Sequence, residues 1–150
     1  MDTPSSIFRV TKLIHWLLLL PPITFGALVF LLIQNGSIPK NNFYQEFIYI
    51  PMVLMIISIL VGRFLYTKLM SNAGKSVTQK LQTFMKATVV RNALFEMTGL
   101  ATCLVAYFTG NGTILSLILI IALQFYTTKP SLQKLELEGV LSKEELKTIE

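Results

Sequence analysis

Glu96 is the residue whose chemistry asks most of its surroundings, because it lies in an apolar run with Arg91 and Asn92 just before it. A carboxylate inside a membrane span is expensive and is normally paired, protonated or functional. Counting about 1.5 Å per residue from Val89 puts Glu96 roughly 10 Å in from the edge of such a span. Asn92 stands one turn before it, and Gly99, Cys103 and Ala106 follow on the same face. Together they form a stripe of small and polar side chains, the kind that lets membrane helices approach closely. Two chemistries suit the stripe. In one, Glu96 is a carboxylate that loads and releases a proton or cation. In the other it is structural: it accepts hydrogen bonds from Asn92 and a neighbouring helix, or pairs with Arg91 or Arg63. Arg91 is five residues away, about 140° round the helix, so that pairing requires a wrapped side chain or a second helix.

The other reactive side chains offer less. His15, the one histidine, precedes Trp16 at the start of an apolar run. A haem held between helices commonly wants a second strong ligand, and the sequence has no other histidine, so no metal and no cofactor is expected. The pair reads instead as interfacial, with Trp16 in the aromatic belt and His15 at the headgroups. Cys103 is the single cysteine, buried in apolar sequence with no base nearby, and reads as a packing residue. Gln124 and Tyr126, late in the last run, suit interhelical bonding and interface anchoring. A lipid or quinone enzyme built on His15, Arg91 and Glu96 would need a nucleophile–base pair, which their spacing does not provide. No catalytic residue is assigned.

The elements that carry these residues are membrane helices. Of 150 residues, 53% are hydrophobic and only 14% charged, where soluble domains are nearer a quarter charged. An all-α, four-helix integral membrane bundle is expected, with helices at about 13–33, 48–66, 77–108 and 113–127, since roughly 20 apolar residues cross a bilayer. Pro22 should bend the first helix near its middle. That run also begins like a signal peptide, but it is too long and lacks a small-x-small cleavage site. Asn35-Gly36, Pro39 and Asn41-Asn42 make the first connection a loop. Ser76 and Gln79 are placed as a capping box for the third helix. Thr109-Gly110-Asn111-Gly112-Thr113 is a tight turn into a short fourth helix. Lys and Arg cluster at Arg9 and Lys12, at Lys68, Lys75, Lys80 and Lys86, and at Lys129 and Lys134, with only Lys40 between the first two spans. Both termini are therefore expected on the cytoplasmic side, with Arg63 snorkelling to headgroups. The +5 net charge sits where topology needs it, so no nucleic-acid partner is expected.

Residues 1–128 form the transmembrane domain and 129–150 a cytoplasmic amphipathic tail. Gly139 suits a helix end and Ser142 with Glu145 a second capping box, which makes two short helices. The tail reads as solvated or lying on the membrane surface.

Three resemblances follow from these residues. Leu132 to Leu146 resembles the short helical hairpin at the C-termini of many bacterial proteins, which implies self-association. Ala93-Leu94-Phe95-Glu96, followed by Leu104-Val105-Ala106-Tyr107, is similar to the proton-carrying helix of rotary ATP synthase c subunits. That family's glycine-rich helix and its basic-Gln-Pro loop are absent, so the likeness covers one helix. Lys12 to His15, Arg91 to Glu96, Thr109-Gly110-Asn111 and Lys129-Pro130-Ser131 resemble a family of small four-helix membrane proteins of Bacteroidota. That likeness spans most of the chain and implies a bacterial inner membrane, without an activity. The expected function is a non-enzymatic structural or accessory subunit, or a self-associating module, whose partners are the bilayer and other membrane subunits. The alternative is a proton- or cation-coupled protein using Glu96.

Overall fold

The computed structural model describes residues 3–40, 46–147 and 149, and every regular element among them is helical. Helix α1 (Pro4–Leu17) is capped by Thr3, whose side chain accepts from the Ser6 amide, with Pro4 in the first turn. After Leu18 and Leu19 the chain continues as α2 (Leu20–Gln34). The break lies one turn upstream of where Pro22 alone suggests. Pro21 and Pro22 lack the N–H groups that would bond the carbonyls four residues back, at Leu17 and Leu18, and their rings crowd those same carbonyls. The discontinuity is therefore displaced toward the N-terminus.

Helix α3 (Tyr49–Ser71) carries Pro51 in its first turn, where a missing N–H costs little. It runs five residues past its expected end because Tyr66 and Met70 pack against the C-terminal segment. The expected turn at Asn41-Asn42 lies outside the described residues. Helix α4 (Val77–Thr109) is one continuous element of 33 residues, opened by the Ser76–Gln79 capping box in both directions. Gly110 closes it with φ 63°. A side chain there would also meet the Pro39 carbonyl oxygen at 2.6 Å, so the hairpin needs glycine twice over. The fourth apolar segment starts as a 3-10 turn, Gly112–Ser116, and becomes α5 (Leu117–Thr127). It stops because Pro130 has no N–H to bond Tyr126.

Three helical segments are long and apolar enough to cross a membrane: 4–34, 46–71 and 77–109; the segment 112–127 is shorter. Much of their apolar surface faces outward, as lipid-facing helices require. On α3 only Pro51, Met55, Ser58 and Gly62 are buried.

The tail corrects an expectation. Helices α6 (Leu132–Leu137) and α7 (Lys143–Leu146) form as expected, with the Ser142–Glu145 capping box and Gly139 at φ 66°. They are not a solvated or membrane-surface appendage, however. Leu135, Val140, Leu141, Leu146 and Ile149 are buried with Ile7 and Phe8 of α1 and Leu81 and Phe84 of α4. The leucines that the hairpin resemblance would assign to self-association are used within the chain, and only Leu137, 87% exposed, points away. Lys80 Nζ meets Glu145 at 2.8 Å across the same contact.

This cluster gathers the start of α1, the end of α3, the start of α4 and the tail at one end of the molecule, where nearly all the lysines lie. Two further cores fill the bundle, one around Leu19, Met55, Phe95, Ile121 and Phe125 and one around Val29, Cys103, Ala106, Ile114 and Ile118.

Candidate functional site

The polar centre of the bundle is assembled by α4, which turns Thr88, Arg91, Asn92, Thr98, Gly99, Thr102, Cys103 and Ala106 inward. His15, placed at the headgroups by its sequence position, is instead 0% exposed. Its Nε2 lies 2.9 Å from the Phe125 carbonyl oxygen and its Nδ1 2.7 Å from Asn92 Nδ2. A carbonyl can only accept, so a ring with one proton carries it on Nε2, and Nδ1 accepts from the Asn92 amide. Both ring nitrogens are thereby committed to the protein. Trp16 packs edge-on to the His15 ring and is exposed.

Phe125 lies in the last turn of α5, where carbonyls lose their intrahelical partners. Its neighbour Thr128 is treated likewise, since Arg91 Nη2 donates to the Thr128 carbonyl at 3.2 Å. Two side chains from other helices thus cap the end of α5. The guanidinium of Arg91 also lies 4.4 Å over the Tyr66 ring, and the Tyr66 hydroxyl donates to Glu138 of the tail. Gly62 makes room for the arginine stem: a side chain there would come within 3.2 Å of Arg91 Cγ. Asn92 Oδ1 and Arg91 Nε are buried without a partner among the described residues.

Glu96 is apart from this centre. It is half-buried on the flank of α4 beside Met97, which is 68% exposed. Among the described residues it forms no hydrogen bond with Asn92 and no ion pair with Arg91 or Arg63. The rest of the expected stripe is in place. A side chain at Gly99 would meet Pro22 Cβ at 2.6 Å, and one at Gly26 would meet Ile118 Cδ1 at 2.4 Å and Cys103 Sγ at 3.5 Å. Cys103 and Ala106 are fully buried. Across α3, the Ser58 and Thr98 hydroxyls bond at 2.6 Å. Arg63 is exposed and lines a cavity of about 630 Å3 together with Arg91.

Tyr66, Thr128 and Glu138 were not singled out by sequence. Tyr66 read as the end of a span and Glu138 as a tail charge; only the folding back of the tail makes them neighbours. Beside them, burial and then the proximity of Arg91 hold Lys134 below the usual lysine range, with Glu138 pulling the other way.

Comparison with models of protein families, with curated proteins and with solved structures finds no match for the chain.

Proposed function

We propose that the chain is an integral membrane protein that crosses the bilayer four times. Both termini lie on the cytoplasmic side of a bacterial inner membrane, and the protein serves as a non-enzymatic accessory or self-associating subunit. The dimensions support the fourth crossing. Five 3-10 residues and eleven α-helical residues rise about 26 Å, near the roughly 30 Å of a hydrocarbon core. Alongside, α4 covers about 27 Å between Arg91, level with the end of α5, and Thr109 at the hairpin. The gathering of Arg9, Lys12, Lys68, Lys75, Lys80, Lys86, Lys129 and Lys134 about one end supports the orientation.

The observation that carries the subunit role is Glu96. It stands 13 residues before Thr109, about 20 Å from the far edge of the span. An unpartnered ionisable side chain costs about 2.5–3.5 kcal/mol at the centre of a span on insertion scales, and Glu96, nearer one edge, bears part of that cost. No cation or donor of this chain's described residues relieves it, and a cation or hydrogen-bond donor of a neighbouring subunit would. Native mass spectrometry in mild detergent tests this. The wild-type chain should appear as an oligomer or with a co-purifying membrane protein, and Glu96→Leu should convert it to a folded monomer. A wild-type chain that is only monomeric, with nothing bound, would refute the role.

The same unpartnered carboxylate favours a second reading, an ion-coupled protein. In that case Glu96→Gln abolishes proton or cation movement in proteoliposomes while leaving helicity intact, and unchanged flux would sink it.

A further inference from the structure

The cavity where the bundle meets the tail has walls that change along its length. At about 630 Å3 it falls within the range of roughly 300–1,000 Å3 usual for small-molecule sites. Ile59 and Phe95 line it within the bundle, Lys80 and Glu138 line it beside the tail, and Arg63 and Arg91 stand between. By helix register the apolar part lies toward the membrane and the charged part toward the basic end.

The charges are not balanced within the wall. Lys80 is paired with Glu145 outside the lining, and Glu138 is held by the Tyr66 hydroxyl and lies 3.7 Å from Lys134 Nζ. Neither arginine meets a carboxylate at ion-pair distance among the described residues. Arg91 is the more telling of the two. It is 7% exposed, its guanidinium donates one bond to Thr128, and its Nε has no partner. Glu138 acts on Arg91 only from beyond ion-pair distance; a buried cation so weakly countered is costly, and a guanidinium offers a planar fork of donors that matches phosphate oxygens.

We propose that this cavity binds the phosphate headgroup of an anionic membrane amphiphile, with Arg91 and Arg63 holding the phosphate and Ile59 and Phe95 receiving the first part of the acyl chain. The apolar end distinguishes this ligand from a free phosphate, which would leave half of the wall uncovered. The position agrees, since the arginines lie at the level where α5 ends and the inner-leaflet headgroups begin.

Native mass spectrometry in mild detergent, with dioleoyl phosphatidic acid or dioleoyl phosphatidylcholine added at equal concentration, tests the proposal. One phosphatidic acid per chain should be retained at least tenfold more strongly than phosphatidylcholine. Arg91→Gln should abolish that preference. Arg63→Gln, at an exposed residue whose side chain makes no hydrogen bond or ion pair among the described residues, should reduce it several-fold while the thermal melt of the unliganded chain stays unchanged. Inorganic phosphate in place of the lipid should leave the melting temperature where it was. Equal retention of the two lipids, or a preference untouched by Arg63→Gln, overturns the site. A melting temperature raised as much by inorganic phosphate as by phosphatidic acid overturns the amphiphile and assigns a soluble phosphate instead.

Discussion

Replacing His15 by alanine tests the polar centre most directly. The ring is fully buried and makes two bonds, to Phe125 and to Asn92. Truncation leaves the Phe125 carbonyl with only the long 3.5 Å contact from the Thr128 hydroxyl, a loss of up to about 1–3 kcal/mol for a buried group deprived of its short bond. It also opens a void between the Phe125 and Trp16 rings, which stand 5.3 and 5.2 Å from the imidazole. Void and lost bond together should cost about 3–5 kcal/mol. Thr11, one turn earlier and equally buried, bonds only the Ile7 carbonyl of its own helix. Thr11→Ala orphans nothing and should cost about 1 kcal/mol or less. The His15–Asn92 bond can be isolated by adding Asn92→Ala. Cycles on membrane helices average about 0.6 kcal/mol and reach about 1.7. A 2.7 Å bond between two fully buried groups belongs near the top, at about 1–1.5 kcal/mol of coupling. Reversible unfolding in mixed detergent and dodecyl sulfate micelles, followed by circular dichroism, measures all four. Coupling below about 0.3 kcal/mol, or a His15→Ala variant no weaker than Thr11→Ala, would refute the bonding.

Three further outcomes follow from packing and charge. Gly99→Ala should destabilise by about 1–3 kcal/mol, because its new methyl meets the rigid Pro22 ring, whereas Gly26→Ala meets the free end of Ile118 and should cost less; the same unfolding assay ranks them, and the reverse order would contradict the packing. Leu135→Ala, at a position 0% exposed, should cost about 2–5 kcal/mol locally and speed tryptic cleavage after Lys134, while Leu137→Ala should leave the digestion pattern unchanged. The Lys80 ammonium beside Glu145 holds that carboxyl below its usual range, so the contact stabilises tail docking above the ordinary carboxylate pKa and is lost as pH falls through the depressed value. Hydrogen exchange of the tail amides, corrected for intrinsic rates, should therefore rise relative to the bundle under acid, and Lys80→Met should remove that dependence.

What the sequence disclosed and what it hid divide along physical lines. The Ser76 and Ser142 capping boxes and the glycines at helix ends are local signals, and each is found where its residues put it; apolar length located the helices but not the starts and ends that tertiary packing extends. The inward stripe of Asn92, Gly99, Cys103 and Ala106 was equally legible, because 3.6-residue periodicity relates these positions whatever they pack against. Glu96 shares that periodicity yet sits on the flank. The stripe is centred on Phe95, Thr98 and Thr102, and only the approach of α2 and α5 decides which side of it is covered. His15 was the larger surprise. A histidine at the start of a hydrophobic run looks interfacial when the run begins at Leu13, but α1 begins at Pro4, which sets His15 beside the far end of α5. The docking of the tail, and with it the Tyr66–Glu138 contact 72 residues apart in sequence, had no local signature at all.

The polar side chains of the bundle acquire a common purpose once the brevity of α5 is considered. Backbone carbonyls at a helix end that the surrounding protein shields from water are costly when left unpaired. Pro130 forces α5 to stop at the depth of Arg91 and Asn92, where its last carbonyls need donors from elsewhere. His15 supplies one and Arg91 another, and Asn92 fixes the ring that makes the first possible. A helix extended past Thr128 would satisfy those carbonyls by itself and make all three side chains unnecessary. It would also fill the space beside Gln124 and Thr128 that now forms one wall of the cavity. The early end of α5 is therefore what creates both the need for buried donors and the opening that Arg91 lines.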